Sequence, residues 1–277
     1  MPDSPQPAPL VIKVGGVPLE DESIAKVLAS SIASLSRRRA TERQGGVILI
    51  HGGGKAADRL LEALGFETVR RDGIRVTPPE QMPLIAGVLA GTVSKRLVGR
   101  LVTEGVRAVG LCLGDAGAIR THLTRRYPFN AGRVGDVEIP DSPLPPSNLL
   151  HVLLREGFLP VVSSIGLDDQ GEFLNVNADD AAAGLARAVG ARELILMSDV
   201  PGVLDEKNHL IEALNPGRVA ELIASGVIHG GMVPKVRAAL EVAASAHATV
   251  VITSASDPHA IRALGEGKPT GTRLTSG

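Results

Sequence analysis

The chain has 277 residues, enough for one large or two modest α/β domains. Lys plus Arg number 29 against 30 for Asp plus Glu, which excludes the overall basic surface typical of nucleic-acid binding. The single cysteine, Cys112, excludes an internal disulfide and indicates a reducing compartment, and no segment approaches the ~20 apolar residues of a membrane span. We expect a cytoplasmic protein with no nucleic-acid or membrane partner.

Short apolar runs alternate with amphipathic helical patterns along the chain. Because these runs are apolar throughout, they are typical of a parallel sheet covered by helices on both faces. The segments 21–36 and 79–97 place apolar residues on one helical face. The predicted fold class is α/β, a three-layer α/β/α sandwich with a central, mainly parallel sheet. The predicted strands are residues 10–14, 47–50, 106–111, 159–165, 194–197 and 249–252.

Glycine turns follow the first two predicted strands. Lys13 lies in an otherwise apolar strand just before Gly15 and Gly16, where a lysine must find an anion or reach solvent. After the second strand, HGGG (51–54) leads into a predicted helix over 55–64. Bare main-chain N–H groups and the helix dipole favour an anion there. The ends of neighbouring parallel strands lie side by side, so both turns can face one crevice.

The HGGG turn is compatible in outline with three kinds of anion site. A mononucleotide P-loop is excluded, because Leu49 stands where its first glycine belongs and Ala56 where its Ser or Thr belongs. A dinucleotide site stays open, since Gly52-x-Gly54-x-x-Ala57 fits the relaxed fingerprint, although Asp72 also has a turn-forming role before Gly73. A phosphoryl-transfer site built from several strand ends is the third.

Two stretches interrupt the alternation of strands and helices. Residues 66–77 predict a hairpin with its turn at Asp72–Gly73, placed to act as a flap beside the HGGG turn. Residues 133–147 are rich in turn residues, and Val134, Val137 and Ile139 favour short strands over a linker.

Polar residues cluster where the later elements begin or end. Asn175 and Asn177 precede a helix that starts at Ala178, and Asp179 falls in its first turn. Ser198 and Asp199 end another strand. In HGGMVPK (229–235) a lysine in the first helical turn opposes the dipole, so Lys235 predicts contact with an anion. The pair Arg125–Arg126 is typical of solvated surface. The histidines lack metal-ligand spacing, so no protein-bound metal is predicted.

Taken together, these motifs resemble the amino-acid kinase family, and within it the members that act on N-acetyl-L-glutamate. The resemblance covers nearly the whole chain in order, and it implies a carbamate kinase-like fold. The motifs that carry it are VIKVGG (11–16), HGGG (51–54), GIRVT (73–77), NVNAD (175–179), SDVPGVL (198–204), GGMVPK (230–235) and GTRL (271–274).

The resemblance implies transfer of the γ-phosphoryl group of ATP, bound with Mg²⁺, to the side-chain carboxylate of N-acetyl-L-glutamate, the second step of arginine biosynthesis. Lys13 and Lys235 would flank the transferring group, with Asp179 holding both lysines. The substrate-binding residues it implies are Gly53, Gly54, Arg75 and Asn175. The ATP-binding residues it implies are Gly15, Gly16, Asp199, Val200, Pro201, Gly202, Val203, Leu204, Val227, Ile228 and His229.

The resemblance also implies two lobes. Residues 1–187 would bind N-acetylglutamate and form the dimer contact, and residues 188–277 would bind ATP. Two alternatives stay open: a kinase of the same family for aspartate, glutamate, carbamate or a carrier-linked aminoadipate, and a dinucleotide-binding regulatory protein of a different class. NVNAD and GIRVT favour acetylglutamate.

Regulation is predicted from the ends of the sequence. Arginine-inhibited members of the family have an extra N-terminal helix that links dimers into a hexameric ring. Prolines at positions 2, 5, 7 and 9 are incompatible with such a helix, since each interior proline costs ~3 kcal/mol. GEGKPTGTRL (265–274) also lacks the GIGT-type signature that accompanies arginine binding. We expect a homodimer that arginine does not inhibit.

Overall fold

The structure is a computed structural model that describes residues 7–71, 73–230 and 232–277. The proline-rich start of the chain (1–6), Asp72 of the predicted turn and Gly231 lie outside the described residues. The strands are β1 Leu10–Val14, β2 Val47–His51, β3 Arg70–Arg71, β4 Ile74–Arg75, β5 Ala108–Cys112, β6 Thr121–Leu123, β7 Val134–Val137, β8 Leu159–Ser163, β9 Ile165–Leu167, β10 Phe173–Val176, β11 Glu193–Ser198, β12 Ala213–Leu214, β13 Thr249–Ser254 and β14 Thr272–Leu274.

Helices connect many of these strands. They are α1 Val17–Glu20, α2 Glu22–Thr41, α3 Gly54–Ala63, α4 Met82–Ala86, α5 Ser94–Thr103, α6 Leu149–Arg155, α7 Ala178–Ala188, α8 Pro216–Ala224, α9 Met232–Ala246 and α10 Pro258–Gly265.

The central sheet has the strand order β12-β14-β13-β11-β1-β2-β8-β5. All neighbouring strands in it are parallel except β13 and β14. The strands up to β8 come from the first part of the chain and those from β11 onward from the last part, and the two sets meet where β1 pairs with β11.

Helices cover both faces of this sheet. Alternate side chains of one strand enter different cores: Ile48 and Ile50 pack with residues of α7 and α9, whereas Val47 and Leu49 pack with α2, α5 and α10. The buried runs of β1 and β2 therefore need no alternation of polar and apolar residues. The predicted three-layer α/β/α sandwich with a mainly parallel sheet is confirmed.

The predicted strand over 159–165 is wrong in its extent. β8 ends at Ser163 and β9 begins at Ile165 in a second, four-stranded sheet of order β6-β7-β10-β9. At the break, the Ser164 N–H donates to the carbonyl of His51, and the Ser164 carbonyl accepts from the Val176 N–H. Ser164 thus joins the two sheets, which an apolar run of the same composition does not reveal.

The hairpin predicted over 66–77 is confirmed, since β3 and β4 pair antiparallel with Arg70 opposite Arg75. The segment 133–147 forms one short strand, β7, and Ile139 lies beyond its end and is exposed. The predicted helix over 79–97 begins with a 3₁₀ turn, Pro79–Gln81, passes through a π-helical stretch, Gly87–Val93, and continues in α5 to Thr103. In the part of the chain that is described, no helix has the length and apolarity needed to cross a bilayer.

Candidate active site

The candidate site lies at the carboxyl edge of three neighbouring central strands. In β1, Lys13 is paired with Ile50 of β2 on one side and with Leu196 of β11 on the other. The HGGG turn follows β2, and Ser198 ends β11. Loops after neighbouring parallel strands converge at such an edge, which is the usual ligand-binding edge of open α/β sheets. The parallel register therefore brings Lys13, the HGGG turn and Ser198–Asp199 together.

The HGGG turn keeps bare main-chain donors at this edge. Gly53 is the N-cap of α3 and offers no side-chain cap. A Cβ on Gly52 would lie 3.2 Å from the Ala178 Cβ, and one on Gly53 would lie 3.3 Å from the Val93 Cγ2. No hydrogen bond among the described residues uses the N–H of Gly53 or Gly54. These donors and the positive end of α3 are available to an anion.

A cavity of about 150 Å³ opens beside this turn. Its walls are the turn itself, the β3–β4 hairpin, the end of β10 and the start of α7. Glycines and apolar side chains form much of this lining. The polar side chains among them are mainly cationic or amide groups, as a ligand with several carboxylate and amide oxygens requires. They include Arg70, Arg75, Arg126, Tyr127, Asn175 and Asn177.

Arg75 is the most constrained of these side chains. Its side chain is only 6% exposed, and its guanidinium lies 2.6 Å from Asp58 Oδ1. It also donates to the Gly54 carbonyl at 3.0 Å and to Thr68 Oγ1 at 3.3 Å. Burial raises the pKa of Asp58, but Arg75, with Arg70 on the other carboxylate oxygen, outweighs burial and lowers that pKa below its usual value. The guanidinium plane is therefore held in place before any ligand binds.

Asn175 is fixed to the same hairpin from the opposite wall. Its amide Nδ2 donates to Thr77 Oγ1 at 2.9 Å, and the Thr77 hydroxyl donates to the Arg75 carbonyl at 3.2 Å. Asn175 itself is held in the four-stranded sheet, because its main-chain N–H donates to the carbonyl of Arg133, the residue before β7. Arg75 and Asn175 thus line one cavity and belong to one hydrogen-bonded unit.

The two lysines are paired with different carboxylates. Lys13 Nζ lies 2.9 Å from Asp179 Oδ1, in the first turn of α7 where Asn177 caps the helix. Lys235 Nζ lies 2.5 Å from Ser198 Oγ and 3.2 Å from Asp199 Oδ1. The hydrogen bond from the Ser198 hydroxyl and, after it, Lys235 lower the pKa of Asp199. The structure thus places Asp179 on Lys13 and gives Lys235 a different carboxylate, whereas the resemblance implied one aspartate for both.

The predicted ATP-binding stretches lie on the β11 side of the edge. Val203 and Ile228 are 1% and 2% exposed and belong to the same core, so these two side chains face away from any ligand. Asp199, Pro201 and His229 are exposed. The Val203 N–H donates to Thr272 Oγ1 at 2.8 Å, which fixes the loop to β14. Gly15 lies next to Lys13, since a Cβ on it would be 4.0 Å from the lysine Nζ, and Gly16 has open space.

Three residues of the site escaped the sequence analysis. Asp58 lies beyond the first turn of α3 and gave no signal, because a charged residue within an amphipathic helix is ordinary. Arg126 is exposed, as predicted, but its guanidinium also pairs with Asp136 and, at 2.6 Å, with Asp180, and it lines the cavity. Although burial opposes this effect, Asp180 and then Asp136 raise the pKa of Arg126.

Tyr127 is the one of these three residues that the aromatic composition of the sequence could have revealed. The chain has one tyrosine and four phenylalanines, and two of these rings, Tyr127 and Phe129, stack at 5.4 Å beside the cavity. Arg71 of the hairpin lies 5.6 Å above the Phe129 ring. Such a concentration of rings in a chain with few aromatic residues indicates a binding surface or a packed lid.

Exposed carboxylates lie beside the two lysines at this edge. Within the described ranges, no group of three or more His, Cys, Asp or Glu side chains could hold a metal ion. Mg²⁺ retains waters and binds through substrate phosphates and one or two carboxylates. Asp179 and Asp199, 57% and 79% exposed, are the carboxylates beside the lysines.

The chain as a whole is similar to a known family of enzymes. Residues 8–254 match the model of the amino acid kinase family, and the chain belongs to that family. The acetylglutamate kinase of Shewanella oneidensis is 42% identical over 266 residues, which cover 96% of each chain. The acetylglutamate kinase of Vibrio vulnificus is equally similar, with the same coverage of both chains.

Solved structures show the same fold at lower identity. Carbamate kinase from Giardia has a TM-score of 0.63 at 18% identity, with 98% of this chain and 99% of that chain covered. The fold class and the family inferred from the motifs are therefore confirmed.

Proposed function

We propose that the protein transfers the γ-phosphoryl group of ATP to the side-chain carboxylate of N-acetyl-L-glutamate. The observation that carries the proposal is the cavity in which Arg75, held by Asp58, and Asn175 face the open donors of the HGGG turn. The 42% identity to acetylglutamate kinases along almost the whole chain supports the choice of substrate. Acetylglutamate phosphorylation belongs to arginine biosynthesis.

The donor set of the edge suits acyl-phosphate formation. A glutamate side chain has a pKa near ~4.3 and is already ionised at neutral pH, so the acceptor needs no general base. A carboxylate oxygen attacks the γ-phosphorus, the new P–O bond forms as the bond to the ADP oxygen breaks, and ADP leaves with that electron pair. Positioning and positive charge are the main requirements of this transfer.

Each group of the site would then have a distinct task. Arg75 would hold the α-carboxylate of the substrate through its planar fork, and Asn175 would bind the same end. The N–H groups of Gly53 and Gly54, with Lys13 and Lys235, would face the phosphoryl oxygens. Mg²⁺ bound with ATP would neutralise further phosphate charge. Asp179 and Asp199 would hold the lysines in orientation until phosphate oxygens replace them as partners.

The dinucleotide alternative finds no support in the chain order. In a dinucleotide-binding unit, the helix after the glycine turn leads to a parallel strand beside the first. Here α3 leads to the antiparallel β3–β4 hairpin, which lies outside the central sheet. The predicted ribose-binding acid, Asp72, lies outside the described residues.

The direct test is product trapping. The purified protein is incubated with MgATP and N-acetyl-L-glutamate in the presence of hydroxylamine, which converts an acyl phosphate to a coloured hydroxamate. We expect hydroxamate and ADP in equal amounts with N-acetylglutamate, and far less with glutamate, aspartate or N-acetyl-aminoadipate. A preference for one of these other acids would reassign the substrate within the family, and hydroxamate formation with none of them would refute the kinase assignment.

We further propose a homodimer formed through the first half of the chain. β5 is at the edge of the central sheet, and among the described strands it pairs only with β8. All five of its residues, Ala108–Cys112, are partly exposed, and none of them is charged. Such an edge strand favours pairing with a second copy. Light scattering should give twice the chain mass, and a monomer mass at micromolar concentration would refute this proposal.

A further inference from the structure

His51 is a buried polar side chain that the proposed mechanism does not use. It is the last residue of β2 and is 0% exposed. Its Nδ1 lies 2.8 Å from the carbonyl oxygen of Gly52, the first residue of the glycine turn. Its other ring nitrogen, Nε2, is buried without a hydrogen-bond partner among the described residues. A polar group buried in this way requires a reason.

The contact with Gly52 fixes the chemical form of the ring. A carbonyl oxygen only accepts hydrogen bonds, so Nδ1 carries the proton and donates it. Burial lowers the pKa of His51, with the Gly52 carbonyl as the smaller, opposing influence. The ring is therefore a neutral imidazole with its proton on Nδ1, and it does not exchange protons with a substrate.

The orientation of the next peptide follows from this hydrogen bond. The described chain contains no cis peptide bond, and in a trans peptide the C=O and the following N–H point in opposite directions. Because the Gly52 carbonyl points at the buried ring, the Gly53 N–H points away from it. Gly52, Gly53 and Gly54 line the cavity, and the Gly53 N–H has no partner within the described residues.

A glycine turn needs an external constraint of this kind. Without a Cβ, glycines in sequence can rotate a peptide plane at little cost, which would turn a carbonyl oxygen toward the anion. We propose that His51 is a positioning residue: it holds the Gly52–Gly53 peptide so that the Gly53 N–H faces the transferring phosphoryl group. The catalytic part of this inference rests on the proposed function.

Isosteric substitutions of His51 separate this role from packing. The side-chain amide of asparagine matches the position of Nδ1, whereas that of glutamine matches Nε2. We expect His51→Asn to retain kcat within ~3-fold, and His51→Gln and His51→Leu to lose it ~10- to 100-fold, with each KM changed less than ~3-fold. This loss is smaller than the ~100- to 1,000-fold cost of removing an oxyanion donor, because the Gly53 N–H is misplaced and not removed. Ser163→Ala is the matched control, because Ser163 of β8 lies opposite His51 in the β2–β8 ladder and is also fully buried.

Two measurements make the outcomes decisive. Thermal unfolding shows which variants are folded. If His51→Leu does not fold, the comparison rests on His51→Gln alone. Folded Gln or Leu variants with wild-type kcat, or an Asn variant as slow as Leu, would overturn the inference. Crystal structures of the wild type and of the Gln variant show the Gly52–Gly53 peptide directly: a rotated peptide in the variant supports the inference, and an unchanged peptide refutes it. An inactive wild type would instead refute the proposed function.

Discussion

Replacing Arg75 by lysine tests the substrate clamp while keeping the charge. The guanidinium now bonds Asp58, the Gly54 carbonyl and Thr68 from three directions. An ammonium group is a single point at the end of a flexible chain, so it can keep the ion pair with Asp58 but cannot also present two parallel donors to a substrate carboxylate. Loss of one charge-assisted hydrogen bond costs about 1.5–3 kcal/mol of binding free energy.

This free energy converts into a defined kinetic change. Since 1.4 kcal/mol corresponds to a factor of ten, the KM for N-acetylglutamate should rise roughly 10- to 150-fold. The KM for ATP should change less than ~2-fold, because Arg75 lines the cavity beside the HGGG turn and makes no contact with the β11 loops. Initial rates of ADP release, with each substrate varied at saturation of the other, measure both constants.

Arg71→Lys is the control variant on the same hairpin. Arg71 is exposed and pairs with Ile74 in the β3–β4 ladder, but it does not line the cavity. Its replacement should leave both KM values within ~2-fold of the wild type, because Arg71 does not line the cavity and a lysine keeps a cation beside the Phe129 ring. If Arg75→Lys raised the KM for ATP more than that for N-acetylglutamate, or matched the Arg71→Lys control, the assignment of Arg75 to the substrate carboxylate would be wrong.

Three other substitutions test the site and the fold. Lys235→Met should lower kcat at least ~100-fold with a smaller change in the KM for ATP, and near-normal turnover of the folded variant would remove Lys235 from the mechanism. Asp58→Asn leaves Arg75 buried without its counter-charge and should lower the free energy of unfolding by about 2 kcal/mol at pH 7, less than for a fully buried pair because Asp58 is 35% exposed. The lowered pKa of Asp58 makes its contribution present above the unfolded pKa of ~3.9 and lost as pH falls through the folded value, so urea unfolding should show a smaller difference at pH 3 than at pH 7. Gly271→Ala should destabilise by about 2 kcal/mol or more, since φ is +71° and a Cβ would lie 2.0 Å from the Ile252 carbonyl oxygen; unchanged unfolding would contradict this backbone argument.

The central sheet could be predicted because the apolar composition of its strands reflects their burial. β1 and β2 are buried on both faces, and unbroken runs of branched apolar residues record that burial. The second sheet could not be predicted in the same way. β9 continues the run of β8 after one residue, and only the contacts of Ser164 with His51 and Val176 separate them. Periodicity carries no information on which of two sheets a strand joins.

Some residues of the site could be predicted from the sequence, and others could not. Lys13 and Lys235 were conspicuous because each violates a local preference, one in a buried strand and the other in the first turn of a helix. Asp58 and Arg126 violate none, since their partners are far away in sequence: Asp58 pairs with the hairpin, and Arg126 with Asp136 and Asp180. Residues that act by holding other residues become visible only when tertiary contacts are known.

The pairing of β1 with β11 has a consequence for recombination. Lys13 and Asp179 both precede this division of the sheet in the chain, whereas Ser198, Asp199 and Lys235 all follow it. A chimera with its crossover between residues 188 and 192 would inherit each lysine together with its own carboxylate from the same parent. Each lysine–carboxylate pair would therefore stay intact in the chimera. The interface that the chimera must preserve is the β1–β11 ladder, from Leu10 opposite Glu193 to Lys13 opposite Leu196.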